Sequence, residues 1–345
     1  IGFFYISVCV CLIFSFLIFN APGKNSDLMF VPNDIPLYKN NTIMTKQGKT
    51  FHSSEISQMY KKFENLKSLE KNYIAEFCKE YDLNETSLKI FNENIITLNN
   101  DYKLHCFYES KKNGKVFIFF HGIFTTIFRK NLIGETPYSL RTYFKNDFDI
   151  LIPEWPGTSI NDYKNDKENF EQMIDVCAEW LKKKYQGKKI IIGGHSFGCW
   201  IALGLVKKLE DRDLTVILNN IFYDNQTAIL WTLSPFHKKF LKSVTTRIYK
   251  NDELLQSVKH LHKKIFILAH PKDFVCSYED AQKLKSQNPE IKLLDIFPDS
   301  RNFSYENHTK INFEENFWIA QNAVEGKYFL KEEDYTKFKK MLLKS

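Results

Sequence analysis

The sequence predicts an α/β fold in which a mostly parallel central sheet is covered by helices on both faces. Three observations support this prediction. Short apolar runs alternate with amphipathic helical patterns from about residue 115 onward. One such run, Ile190–Ile192, consists only of isoleucine, and an apolar helical pattern begins at Trp200. With 345 residues, the chain is long enough to bury a large core.

The chain begins with a hydrophobic segment over residues 1–20, of which Ile1–Phe19 are uncharged and almost wholly apolar. A helix of this length just crosses the hydrocarbon core of a bilayer. The sequence Phe19-Asn20-Ala21 is a poor site for a signal peptidase, which prefers small residues. We therefore expect a single-pass membrane anchor, and a cleaved signal segment of a secreted protein is the alternative.

A polar linker is predicted over residues 21–50, where Pro, Gly, Asn and Asp are frequent. Apolar residues then recur at steps of three and four, which indicates an N-terminal helical segment over residues 51–90. Residues 91–345 are predicted to form one α/β domain. Within it, the insert at about 229–260 is long enough only for a short apolar cap.

The predicted domain starts with three strands joined by tight turns, and strands then alternate with helices. The predicted strands are Ile95–Leu98, Lys103–Tyr108, Val116–Phe120, Phe148–Ile152, Lys189–Ile192, Leu214–Leu218, Lys264–Leu268 and Lys292–Ile296. The predicted helices are Pro137–Phe144, Glu168–Lys184, Phe197–Leu209, Tyr278–Gln287 and Phe313–Glu325. An antiparallel start followed by repeated βα units is typical of a mostly parallel sheet.

A Gly-x-Ser-x-Gly motif lies where a buried strand passes into a helix, with Ser196 flanked by Gly194 and Gly198. In this context the motif predicts a nucleophile elbow, a tight turn that lifts the serine hydroxyl clear of the sheet. The turn also directs the first helix amides, that of Phe197 included, at the reacting group, where they can stabilise negative charge. The same pattern also occurs in a buried strand–turn–helix with an incidental serine.

A second loop is predicted to meet the elbow at the carboxyl edge of the sheet. Strand Val116–Phe120 ends in His121-Gly122, and the glycine allows a sharp turn. The amide of Ile123 is therefore expected to be the second oxyanion donor, beside that of Phe197. His121 is expected to support this loop rather than to act as a base.

A serine nucleophile needs a base, and the base needs an orienting carboxylate. Asp273 follows a predicted strand, and His308 follows the last one, so the order Ser196, Asp273, His308 fits a triad of this fold type. Asp224 is the alternative acid and His270 the alternative base. A third histidine, His195, is expected to point away from the site.

The amino-acid composition argues against several classes of function. The net charge of +7 is mild and the basic residues are scattered among acidic ones, which argues against nucleic acid as a partner. The 7 cysteines show no CxxC pattern and no Cys/His spacing typical of zinc. We therefore expect neither a disulfide framework nor a metal or organic cofactor.

From about Asn94 to Glu325 the chain resembles the α/β-hydrolase superfamily, and within it the membrane-anchored serine hydrolases that include depalmitoylases and lysophospholipid hydrolases. The resemblance rests on these motifs: Asp101–His105, His121-Gly122, Pro156–Ser159, Gly194–Gly198, His270–Asp273 and Asn307-His308. It implies that Ser196 is the nucleophile, Asp273 the acid and His308 the base. It also implies an oxyanion hole made by the Ile123 and Phe197 amides.

Together these observations predict a serine hydrolase that cleaves ester or thioester bonds of acyl or lipid-like small molecules. The residues expected to line the acyl site are Phe124, Trp155, Trp231 and Phe236. A catalytically inactive protein of the same fold, used for binding or scaffolding, is an alternative, as is a secreted carboxylesterase. The sequence does not indicate an oligomeric state.

Overall fold

The structure is a computed structural model. It describes residues 38–39, 42–44, 50–52 and 94–327, with gaps at 100, 113, 123–126, 128–129, 134–138, 157–165, 226, 228–247, 274, 297–307 and 309–310. The segments predicted at 1–20 and 51–90 therefore lie almost entirely outside the described residues. Three short strands in the described part precede the domain and pair antiparallel, two of them within the range predicted as a linker: β1 (Tyr38–Lys39), β2 (Thr42–Met44) and β3 (Thr50–His52).

The domain is built on an eight-stranded sheet with the order β11-β10-β9-β8-β6-β7-β5-β4. Its strands are β4 (Ile95–Leu98), β5 (Leu104–Glu109), β6 (Lys115–Phe120), β7 (Asp149–Pro153), β8 (Lys189–His195), β9 (Leu214–Asn219), β10 (Ile265–Ala269) and β11 (Lys292–Asp295). Strand β5 runs antiparallel to both of its neighbours, and β6 to β11 are mutually parallel. The mostly parallel sheet predicted from the sequence is confirmed.

The described helices cover both faces of this sheet. They are α1 (Lys130–Ile133), α2 (Leu140–Phe144), α3 (Lys167–Lys184), α4 (Gly198–Lys208), α5 (Asn251–Ser257), α6 (Tyr278–Gln287) and α7 (Phe313–Val324). Helices α3, α4, α5 and α6 bury their apolar side chains in one core, and α1, α2 and α7 in the core on the opposite face. Strands β6 to β10 are buried between the two cores, which explains their nearly continuous apolar runs.

Strand register aligns the carboxyl ends of the central strands. Phe120 of β6 pairs with Gly194 of β8, and Asn219 of β9 pairs with both His195 of β8 and Leu268 of β10. The residues that follow these strands therefore meet at one edge. In open α/β sheets this is the edge where ligands bind.

The C-terminal part of the predicted cap belongs to the helical layer that covers one face of the sheet. Helix α5 and the 3₁₀ helix Lys259–Lys264 follow the part of the insert that lies outside the described residues, and α5 packs on α4. Leu255 of α5 and Leu261 of the 3₁₀ helix are buried in the same core as α4. Neither element was predicted, because each is too short to show a clear helical period.

No helix in the part of the chain that the structure describes has both the length and the apolar composition to cross a bilayer. The segment Ile1–Phe19, for which an anchor was predicted, is not among the described residues.

A reciprocal pair of amides fastens α7 to the sheet behind the elbow. Asn219 Nδ2 donates to Asn316 Oδ1 at 3.0 Å, and Asn316 Nδ2 donates to Asn219 Oδ1 at 2.9 Å. Both side chains are completely buried. Buried amides need such partners, because an unpaired one keeps its full desolvation cost.

Asn316→Ala is expected to lower the free energy of unfolding by about 1–3 kcal/mol, because it leaves the buried Asn219 amide without this partner. Urea unfolding followed by circular dichroism measures the change. Asn322→Ala is the matched control: it lies on the same helix, is partly exposed, and its side chain donates to Trp318 O within that helix. It should change stability by less than about 0.5 kcal/mol. Equal losses of unfolding free energy in both variants would show that the Asn219–Asn316 pair does not stabilise the packing of α7 on the sheet.

Candidate active site

Ser196 occupies the strained turn that the motif predicts. Its φ angle is +53°, a left-handed conformation that is unusual for a residue with a side chain and costs about 1–3 kcal/mol. Its amide donates to Asn219 O at 2.9 Å, and its carbonyl accepts from the Cys199 amide at 3.0 Å. The turn thus joins the end of β8 to the start of α4 and presents the serine at the carboxyl edge of the sheet.

The two glycines of the motif are required by backbone crowding. A Cβ at Gly198 would overlap the backbone oxygen of Phe120 and lie 2.5 Å from that of His121. A Cβ at Gly194 would lie 2.6 Å from the Gly198 oxygen. Only residues without a side chain allow β6, β8 and α4 to approach this closely around Ser196.

Asp273 and His308 form a buried pair beside the elbow. His308 Nδ1 lies 2.9 Å from Asp273 Oδ2, and the two residues are 6% and 1% exposed. The other carboxylate oxygen accepts from the amides of Val275 at 2.6 Å and Cys276 at 2.9 Å. These amides fix the carboxylate, so that it can orient the imidazole and stabilise a positive charge on it.

The backbone of His308 is held by two donors from the ends of other strands. His195 Nε2 donates to the His308 carbonyl at 2.7 Å, and Asn220 Nδ2 donates to the same oxygen at 3.1 Å. The His195 and His308 rings lie 5.0 Å apart. The expectation that His195 points away from the site was wrong, because its ring turns toward the loop that brings in His308.

A buried thiol, that of Cys276, lies beside the acid–base pair. The ligand atoms of Cys276, Asp273 and His308 all lie within 4.8 Å of one another. Burial, and next the charge of Asp273, raise the pKa of the Cys276 thiol well above its ordinary value, so the sulfur is protonated at neutral pH. Cys276, Asp273 and His308 thus form one buried cluster. The bond from His195 to the His308 carbonyl links this cluster to the turn that carries Ser196.

A buried carboxylate supports the loop after β6. Glu154 Oε1 lies 3.2 Å from His121 Nε2 and accepts from the Trp155 amide, while Oε2 accepts from the Ile127 amide at 3.1 Å. Glu154 is completely buried. His121 therefore holds its own loop, as the sequence indicated, and Gly122 lets that loop pass close to His195.

The two alternative residues make different contacts. Asp224 accepts from the Thr227 amide at 2.8 Å, which caps a local turn. His270 donates its amide to Asn220 Oδ1, and its Nδ1 accepts from the Lys272 amide at 3.0 Å. The carboxylate that faces His308 is that of Asp273.

The residues predicted to line the acyl site are mostly outside the described part of the chain. Trp155 is described and has no exposed surface: its ring stacks on His121 at 5.0 Å and packs against Phe170 and Phe197. It thus lies behind the elbow in this conformation. The other predicted site residues, which fall outside the described residues, are Ile123, Phe124, Trp231 and Phe236.

Four residues of the site were not assigned from the sequence: His195, Asn220, Glu154 and Cys276. His195 ends a strand, Asn220 and Glu154 each directly follow one, and Cys276 is close to Asp273 in the sequence. This placement is the one signal that could have indicated them. That signal is shared by many loop residues. Their contacts join loops that are far apart in the chain, and no local periodicity reports such contacts.

Residues 115–255 match the family model described as alpha/beta hydrolase fold. The match begins at β6 and includes the elbow, and it ends before Asp273 and His308. A comparison with curated proteins finds no match.

Several solved structures are similar to the chain. The esterase Pf2001 of Pyrococcus furiosus is 19% identical with a TM-score of 0.45, over 66% of this chain and 87% of that one. A structure described with the carboxylesterases of Nitrososphaera gargenis is 15% identical with a TM-score of 0.47, over 68% and 100%. The thioesterase domain of the curacin biosynthetic pathway is 11% identical with a TM-score of 0.45, over 66% and 98%. Identities this low do not indicate a substrate.

Proposed function

We propose that this chain, which has the α/β-hydrolase fold, is a serine hydrolase that cleaves carboxylic ester or thioester bonds through an acyl-enzyme. The observation that carries the proposal is the arrangement at the carboxyl edge of the sheet. A serine on a strained turn, with φ of +53°, directly follows His195, whose ring bonds the backbone of His308. His308 in turn forms a buried imidazole–carboxylate pair with Asp273, joined at 2.9 Å. These three groups are what nucleophilic acyl transfer requires.

The first half of the reaction forms the acyl-enzyme. His308 Nε2 takes the hydroxyl proton of Ser196 as the oxygen attacks the acyl carbon, and Asp273 stabilises the resulting imidazolium through Nδ1. The amide of Phe197, at the start of α4, stabilises the developing oxyanion, because the first amides of a helix have no partner within it. The amide of Ile123 is the proposed second donor. The tetrahedral intermediate then expels the alcohol or thiol, which takes the proton from Nε2.

The second half releases the acid. Water enters, His308 removes its proton, and the resulting hydroxide attacks the acyl carbon of the ester formed on Ser196. The second tetrahedral intermediate collapses, and the proton on Nε2 returns to the Ser196 oxygen. Carboxylic acid leaves and the starting enzyme is restored.

An acyl or lipid-like chain is the substrate class that the sequence favours. The apolar insert carries Trp231 and Phe236, and Phe124 follows the proposed oxyanion donor. Apolar side chains around a reactive serine bind the hydrocarbon part of an ester and leave its polar part at the catalytic groups. Rates with p-nitrophenyl esters of increasing acyl length would define the preferred chain.

Labelling with a fluorophosphonate probe tests the proposed nucleophile. The wild-type protein is expected to be labelled at Ser196, Ser196→Ala is expected to lose the label, and Ser286→Ala, which changes an exposed helix serine, is expected to keep it. Peptide mapping locates the adduct. Folded wild-type protein that takes up no label would favour the inactive binding or scaffolding protein instead.

We also propose that residues 1–20 attach the enzyme to a membrane, so that it acts on acyl substrates there. The uncharged apolar sequence of Ile1–Phe19 supports this proposal. The protein should stay with membranes after extraction with alkaline carbonate. Recovery of a soluble mature protein whose N-terminus lies beyond residue 20 would instead support the secreted carboxylesterase.

A further inference from the structure

The buried cluster beside Ser196 has the composition of a metal site. Cys276, Asp273 and His308 provide one thiol, one carboxylate and one imidazole, and their ligand atoms all lie within 4.8 Å of one another. Sulfur, oxygen and nitrogen are the three ligand types that zinc accepts in proteins. The spacing along the sequence gives no hint of this set, because the cysteine and the histidine come from separate loops.

The distances suit a tetrahedral ion. Zinc lies about 2.0–2.1 Å from nitrogen and oxygen and about 2.3 Å from sulfur, which places its ligand atoms about 3.3–3.6 Å apart. Asp273 Oδ2 and His308 Nδ1 are 2.9 Å apart and must separate by only a few tenths of an ångström. The Cys276 sulfur is the third ligand atom and lies within 4.8 Å of the other two.

The ligands are also held in place by their neighbours. Asp273 Oδ1 is fixed by the Val275 and Cys276 amides, which leaves Oδ2 as its coordinating atom. The His308 backbone is fixed by His195 and Asn220. Hydrogen bonds of this kind behind the ligands orient them and strengthen metal binding.

Charge balance favours a divalent ion in this buried position. Bound as thiolate and carboxylate, Cys276 and Asp273 contribute two negative charges, which neutralise one divalent cation. A soft thiolate beside an imidazole selects zinc over magnesium or calcium.

We propose that Asp273, Cys276 and His308 form an inhibitory site for Zn²⁺ within the catalytic centre. On binding, the metal forms bonds to the Cys276 sulfur, to one Asp273 oxygen and to His308 Nδ1. The thiol proton leaves to solvent and the imidazole proton moves from Nδ1 to Nε2, with no change of oxidation state. Nε2 then carries a proton and cannot accept the one on Ser196. The inhibition, though not the metal site, rests on the function proposed above.

Two measurements test this inference on the full-length protein. Titration with Co²⁺, a spectroscopic substitute for Zn²⁺, should produce a sulfur-to-cobalt charge-transfer band in the near ultraviolet. The band should be absent in Cys276→Ala and Cys276→Ser and present in Cys177→Ala, which changes another fully buried free cysteine. In the second measurement, Zn²⁺ should inhibit p-nitrophenyl ester hydrolysis and EDTA should reverse the inhibition. Relative to each variant's own metal-free rate, the inhibition constant should rise at least tenfold in Cys276→Ser and stay unchanged in Cys177→Ala.

The outcomes separate the two proposals. A cobalt band that depends on Cys276, in a protein without esterase activity, would support the metal site and remove the proposed function. Esterase activity without such a band, or Zn²⁺ inhibition that is the same in wild type and Cys276→Ser, would overturn the metal site and leave the function standing. Circular dichroism checks that each variant is folded, and Cys276→Ala and Cys276→Ser provide two independent removals of the same sulfur.

Discussion

Ser196→Ala and His308→Ala are each expected to lower kcat for p-nitrophenyl esters by about 10⁴- to 10⁶-fold, with little change in KM. The reason is that each variant removes a group that acts in the transition state and leaves the surrounding binding surface in place. Because the two residues act as one unit, the double variant should be no slower than the slower single variant. Steady-state kinetics on folded protein, checked by circular dichroism, measures this.

The acid is tested in the same experiment. Asp273→Asn should lower kcat by about 10⁴-fold, because an amide cannot hold the correct imidazole tautomer or balance the imidazolium charge. Asp224→Asn is the control for the acid, since its side chain caps the turn at Thr227. His260→Ala is the control for the base, because this histidine is exposed. If Asp224→Asn were the slower of the two acid variants, the assignment of Asp273 would be wrong.

Gly198→Ala is expected to lower the free energy of unfolding by about 3 kcal/mol or more and to abolish activity. The added methyl group overlaps the backbone oxygens of Phe120 and His121, and backbone atoms of a central strand cannot turn aside as the end of a side chain can. Relief requires β6 and the His121 loop to move away from the elbow. Urea unfolding and ester hydrolysis measure the two effects.

Gly204→Ala is the matched control for this substitution. It lies on the same helix, and its Cβ would crowd the terminal Cδ1 of Ile174 at 2.7 Å, which can change rotamer, with the other Ile174 atoms at 3.7 Å or more. Alanine also favours the helix by about 1 kcal/mol over glycine, so stability should change little or rise. If the two variants unfolded at the same urea concentration, the close packing at the elbow would not be what requires Gly198.

The elbow could be predicted because its signal is local. A buried run, a serine between two glycines and an apolar helix follow one another within a few residues, and the sheet and helices followed from the same kind of periodicity. Asp273 and His308 were predicted from a weaker rule, namely that the members of a triad follow the ends of successive strands in a fixed order. Their direct contact at 2.9 Å depends on how two distant loops pack, which the sequence does not state.

The remaining parts of the site depend on contacts between loops alone. His195 and Asn220 hold the His308 carbonyl from two different strand ends, and Glu154 holds the loop after β6. Cys276 is recognised as part of the site only from its distance to Asp273 and His308. These residues are polar or small and have no period, so a pattern read along the chain cannot tell them from ordinary loop residues.

The amide pair of Asn219 and Asn316 has a consequence for the order in which the protein acquires its reactivity during translation. The carbonyl of Asn219 accepts from the Ser196 amide. Its side chain bonds Asn316 of α7, a helix that leaves the ribosome much later. His308 also emerges long after the serine. We therefore expect Ser196, the proposed nucleophile, to become reactive only after His308 has been synthesised and α7 has packed against Asn219.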